Sequence, residues 1–141
     1  MVWEDSTPGI FEIFYTRSTD GGANFTPPES LSINTGSAIV PGIAALAGNV
    51  YVVWAGENGI LFRKSTTSGD NFDPSMHLGS GNGPIVTSLG NNVYVVWGDP
   101  SSGNWEILYR KSIDSGVTFD PTASNLSTNS GTSDAPAIAV S

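Results

Sequence analysis

Apolar positions fall in short runs parted by polar, glycine-rich stretches, and no window of eleven or more residues carries them at a helical period. Two runs are the same five residues, VYVVW at 50–54 and at 93–97. They are apolar on both faces rather than alternating, which predicts strands in a sheet covered on both sides. A second set (Ile13–Tyr15, Ile60–Phe62 and Ile107–Tyr109) predicts a further strand in each unit. Each of these leads into a related stretch of eight residues: STDGGANF at 18–25, STTSGDNF at 65–72 and SIDSGVTF at 112–119. The stretch reads as a turn between strands, with Phe25, Phe72 or Phe119 as the anchor that packs. Asp20 and Asp114 are expected to fold back onto backbone N–H groups one or two residues on, while Gly22, Gly69 and Gly116 supply positive φ.

Aligned on tryptophan, Trp3, Trp54 and Trp97 stand 51 and 43 residues apart, the spacing of a repeat architecture. Each unit holds four candidate strands, A to D. A follows Pro41, Pro84 or Pro136 (Ile43–Leu46, Ile85–Leu89, Ala137–Val140), B is the Val/Tyr/Trp run, C the Ile/Phe/Tyr run, and D follows the turn's Phe. Gly48-Asn49 and Gly90-Asn91-Asn92 suit tight A–B hairpins. Repeated four-stranded sheets with two buried faces are propeller blades, so the expected fold is all-β: one three-blade unit over 1–141. The blades run over about 1–40 with a C-terminal strand at 136–141, 41–83 and 84–135.

Blade 1 then has B, C and D without A, and Pro136–Ser141, aligned on Pro41–Leu46, is an A without its own B, C and D. Three blades do not close a ring, whereas two copies make six and three copies make nine, beyond the usual range. The expected partner is therefore the chain itself: a homodimer closing a six-bladed ring, with Ala137–Val140 of each copy beside Val2 and Trp3 of the other.

The eight-residue stretch fits S-x-D-x-G-x-x-[FW], and on it the chain resembles the Asp-box, or BNR-repeat, β-propellers, of which sialidases are members. Ser18, Asp20, Gly22 and Phe25 match in full, as do Ser112, Asp114, Gly116 and Phe119; the middle copy keeps Ser65, Gly69 and Phe72 but has Thr67 in place of Asp. That turn is expected to be less firmly closed. The resemblance covers the whole chain and implies boxes between strands C and D, away from a central site, in a family often found outside the cell.

Composition narrows the function. Thirteen acidic against five basic residues give a net charge of −8, which repels nucleic acid and anionic membranes and leaves no basic cluster to overcome that. Without Cys, and with only His77, neither a disulfide framework nor a thiolate or His-based metal site is expected, and no cofactor is. No leader or membrane-length apolar run is evident. Compartment stays open.

The resemblance to sialidases implies three arginines on a substrate carboxylate, a tyrosine nucleophile with its glutamate, and an aspartate acid/base. The chain has three arginines, yet Arg63 and Arg110 occupy one repeat position, Arg17 lies one place further on, and all three abut the box serine. Tyr51 and Tyr94, and Tyr15 and Tyr109, recur likewise. Catalytic groups converge on one point, whereas these recur once per blade, so no catalytic residue is expected. The loops opposite the boxes (4–12, 55–60 and 98–106) bring Asp5, Glu57 and Asp99 to a rim that can attract a cation or sugar hydroxyls, and Trp105 can stack on a sugar ring. The competing readings are a solvated rim for the carboxylates and, for Trp105, interblade packing, since blade 1 has Phe11 there. The expectation is a non-catalytic, self-assembling scaffold or binding module open to a small-molecule or carbohydrate ligand; the alternative is part of a sialidase-like glycosidase.

Overall fold

The computed structural model describes residues 1–33 and 35–141, and among them are eleven strands and no helix. Blade 1 is β1 (Val2–Asp5), β2 (Glu12–Tyr15) and β3 (Glu29–Ser30); blade 2 is β4 (Ala38–Leu46), β5 (Asn49–Gly56), β6 (Gly59–Ser65) and β7 (Met76–Gly79). Blade 3 is β8 (Asn82–Leu89), β9 (Asn92–Asp99), β10 (Glu106–Ser112) and β11 (Ser124–Asn125). Each is an antiparallel meander whose spatial order follows the chain, the topology of a propeller blade. Blade 1 has three strands, and its β1 pairs with β2 alone.

Strand A is longer than the residues predict because it carries a bulge. Val40 and Pro41 in β4 stand opposite Trp54, and Gly83 and Pro84 in β8 opposite Trp97, where the register shifts. A proline cannot donate to a ladder, so the bulge is where the sheet tolerates one. Val40, freed from the ladder, donates its N–H to the Glu4 carboxylate of blade 1 at 2.7 Å.

Strand B has the two-sided burial that its composition demands. Val50, Val52 and Trp54 turn toward blade 1, forming one core with Ile13, Tyr15, Leu31 and Ala38. Tyr51, Val53 and Ala55 turn the other way, joining Phe62, Leu78, Val93, Val95 and Trp97 in a second core between blades 2 and 3. The blades are thus stacked face to face. At their inner ends the A strands meet closely: a Cβ on Gly42 would lie 3.2 Å from the Pro84 carbonyl oxygen.

In the single chain residues 126–141 form no strand. One expectation needs correction. Phe25 is not a packed anchor: it is 50% exposed, because the face it would pack on belongs to a preceding blade.

The joints between blades generate a prediction. The Phe62 ring sits where a Cβ on Gly116 would be, 2.8 Å from its Cζ, and the Tyr15 ring blocks Gly69 in the same way. Gly116→Ala and Gly69→Ala should each lower stability by about 1 to 3 kcal/mol through overpacking, beyond the strain of positive φ, as read by urea denaturation.

Candidate functional site

The boxes close through a division of labour that residue type alone does not reveal. Ser18 Oγ accepts from the N–H of Gly22 at 2.8 Å and of Asp20 at 3.3 Å, and donates to Asp20 Oδ1 at 2.7 Å. Because the serine takes the near donors, the carboxylate reaches the far end of the turn rather than one or two residues on. Asp20 accepts from the Asn24 backbone at 2.9 Å and side-chain amide at 2.7 Å. Blade 3 repeats this: Ser112 Oγ takes the Gly116 N–H at 2.8 Å, and Asp114 takes Val117 N–H at 3.1 Å, Thr118 N–H at 2.9 Å and the Thr118 hydroxyl at 2.6 Å. In blade 2 the Thr67 hydroxyl accepts the Asn71 N–H at 3.0 Å, a single acceptor where its neighbours offer two. The same hydroxyl donates to the Asn71 carbonyl at 3.4 Å, so the turn keeps its shape with a hydroxyl in place of the carboxylate.

These bonds act on the carboxylates. The side-chain and backbone amides of Asn24 hold Asp20 down to about 2, and the Thr118 hydroxyl and N–H hold Asp114 well below the usual carboxylate range. Both stay ionised in ordinary conditions and bonded to their own turns.

At the opposite end the rim residues are likewise engaged. Asp5 accepts from the Thr7 N–H at 2.7 Å, and Thr7's hydrogen bonds hold it below its ordinary value. Asp99, its counterpart, is buried; burial alone would raise it, but hydrogen bonds from Ser101 and Ser80 outweigh that and keep it low. Ser80 comes from the connection between β7 and β8, so Asp99 holds two blades together. Glu57 reaches across to the loop before β4 and accepts the Ser37 N–H at 3.1 Å. Glu106 is buried and held low, first by the Ser127 hydroxyl and then by Asn104.

Trp105 lies against the backbone of Gly98 in its own blade, where a Cβ would be 3.1 Å from the ring. That contact lies on the side of β9 opposite Val95 and Trp97. Among the described residues, no three His, Asp or Glu side chains converge as a metal site requires. His77 Nε2 is bonded to the Asn58 carbonyl at 2.8 Å.

The arginines are bonded to main chain. Arg63 holds the Asp73 carbonyl at 2.6 Å and the Phe72 carbonyl at 2.9 Å in its own blade, and the Leu31 carbonyl of blade 1 at 2.8 Å. Arg110 does the same between blades 3 and 2, with the Leu78 carbonyl at 3.0 Å and the Pro121 carbonyl. Arg17, one place further on, points forward instead, to the Ser68 carbonyl at 3.0 Å and the Asp70 carboxylate in the box of blade 2. The residues' recurrence was visible in sequence; their direction was not, since it follows from which side of strand C each occupies.

Two small clefts lie between blades on the box face, at equivalent repeat positions. One, of about 160 Å³, is lined by Phe62, Lys64, Asp73, Met76 and Gly116. The other, of about 120 Å³, is lined by Tyr15, Arg17, Thr26, Glu29 and Gly69. Both are by-products of the same packing of an aromatic over a box glycine.

The chain matches no family model and no curated protein. Among solved structures it is similar to an α-L-arabinofuranosidase from Podospora anserina in complex with cellotriose, with a TM-score of 0.48 and 9% identity over 79% of this chain and 42% of that one. It is also similar to a GH43 endo-arabinanase from Bacillus licheniformis, with a TM-score of 0.46 and 14% identity over 91% of this chain and 59% of that one. The chain spans less than two thirds of the length of either. At these scores the likeness carries no activity, substrate or blade number across to this chain.

The depressed box carboxylates set a pH dependence. Their stabilisation is full above the ordinary aspartate value of 3.8 and is lost as pH falls toward the folded value of about 2 at Asp20. Melting temperature should therefore drop over that window, and Asp114→Asn should shrink the drop. Thr67→Asp should raise the melting temperature by a few degrees, because Asn71 stands where Asn24 does and can donate the same two bonds. An unchanged or lower value in differential scanning fluorimetry would mean that Thr67 has a role of its own.

Proposed function

We propose that this chain is a non-catalytic Asp-box propeller module, a scaffold or binding unit that closes a six-bladed ring by pairing with a second copy of itself. The observation that carries this reading is the mismatch between the inner and outer blade faces. The faces between blades hold the two buried cores, while the outward faces of blades 1 and 3 leave Trp3, Phe14, Tyr94 and Tyr109 only half-buried and Leu126 exposed. Apolar blade faces of this kind call for a covering surface.

The C-terminal segment supports a strand exchanged between copies. Ser133 donates its N–H to the Trp105 carbonyl at 2.8 Å, repeating the bond from Ala38 to the Phe11 carbonyl, also 2.8 Å, with which strand A of blade 2 begins. Residues 136–141 thus set out as a strand A, and the free edge of β1 is where such a strand belongs.

The absence of catalysis is supported by the engagement of Arg63 and Arg110 with backbone carbonyls, which occupies the groups a substrate carboxylate would need. Any small-molecule or carbohydrate ligand would sit at the rim around Asp5, Glu57, Asp99 and Trp105.

Light scattering at micromolar concentration should report about twice the 14.7 kDa chain mass, and removal of residues 136–141 should abolish the pairing. A folded monomer overturns the ring. Turnover of a fluorogenic sialoside that disappears on Arg63→Ala or Arg110→Ala would overturn the non-catalytic reading.

A further inference from the structure

Both joints inside the chain are built from the same parts. The C-strand aromatic of the earlier blade stands edge-on to the box phenylalanine of the later one: Tyr15 on Phe72 at 5.0 Å and Phe62 on Phe119 at 4.9 Å, each at 76°. It lies over the later blade's box glycine, where no Cβ fits. The D-strand leucine of the earlier blade is buried, Leu31 at 4% and Leu78 at 3% exposure. An arginine of the later blade then clamps that leucine's carbonyl, Arg63 on Leu31 and Arg110 on Leu78.

The two outward faces hold the separated halves of a third such joint, with one part changed. Blade 3 presents Tyr109, stacked on Tyr94 at 6.4 Å and 23° much as Phe62 is stacked on Tyr51 at 6.1 Å and 21°. It also presents Leu126, which is 59% exposed. Blade 1 presents Phe25, 50% exposed, beside Gly22, whose Cβ direction is open with nothing within 4 Å. The arginine position, two residues before the box serine, is Thr16 in blade 1. Its hydroxyl donates to the Thr26 carbonyl at 2.7 Å, the repeat equivalent of the bond from Arg63 Nε to the Asp73 carbonyl. Threonine keeps the bond within the blade and is too short to reach another.

We propose that two copies meet with Tyr109 of one seated over Gly22 and against Phe25 of the other, burying Leu126, in a joint that lacks the arginine clamp and is therefore where the ring opens. This rests on the self-assembly reading above and names its contact. Internal joints are tied by an arginine and by the covalent chain, whereas the joint between copies has only the aromatic seat, the leucine and the exchanged strand. Dissociation into intact three-blade chains is thus the first step in opening the ring.

A dilution series of the full chain by sedimentation velocity, with tryptophan fluorescence to confirm folding, tests it. Thr16→Arg supplies the missing clamp and should tighten the dimer by roughly tenfold per joint, hence about a hundredfold for the two joints of a ring. Phe25→Ala and Leu126→Asp, both at exposed positions that leave the blade cores intact, should each weaken it by at least about tenfold. A wild-type chain that is monomeric throughout overturns the ring itself. A wild-type dimer whose affinity is unmoved by Phe25→Ala and Leu126→Asp, or not tightened by Thr16→Arg, leaves the ring standing and overturns this joint.

Discussion

Strand B cannot be buried on both faces by its own sheet. Val50 to Ala55 and Val93 to Trp97 present apolar side chains alternately to the two sides of a single layer, so a further layer must cover each side. Stacked blades meet that requirement for β5 on both sides and for β9 on the side toward blade 2, while on its other side Tyr94 stays half-buried. The bulges at Pro41 and Pro84, the seating of Tyr15 and Phe62 over glycines, and the backward reach of Arg63 and Arg110 all serve that stacking. They let one sheet approach another closely and then satisfy the backbone groups left at the seam.

The polar residues follow the same economy. A chain with 13 acidic groups has many carboxylates to dispose of, and the structure ties those at Asp5, Asp20, Glu57, Asp99, Glu106 and Asp114 to local N–H or hydroxyl donors. Such bonds spend the lone pairs of the carboxylate, and at Asp5, Asp20, Asp99, Glu106 and Asp114 they lower its proton affinity. At the rim, Asp5 and Asp99 each lock a local turn. What recurs from blade to blade is a way of ending a loop, and what differs between blades is how many donors each lock holds.

The repeat, the four-strand unit, the placement of the box between C and D, and the three-stranded first blade were all legible in the residues, because hydrophobic period and turn chemistry are local properties. So was the departure of the middle box, where Thr67 stands in place of the aspartate. The sequence also shows which residues recur, Arg63 and Arg110 among them.

Direction and partnership were decided only in three dimensions. Arg17 and Arg63 differ by one repeat position, and that step puts them on opposite sides of strand C, so one reaches forward to the next box and the other back to Leu31. Asp99 reads as a rim carboxylate in the chain and is buried against Ser80, because the link from β7 to β8 folds over it. Phe25, Phe72 and Phe119 are alike in sequence and differ in burial, since packing depends on a neighbouring sheet and not on the residue itself. Local sequence determined the shape of each blade; only the stacking of one blade on the next decided which side chains became core, which became clamps and which were left on an open face.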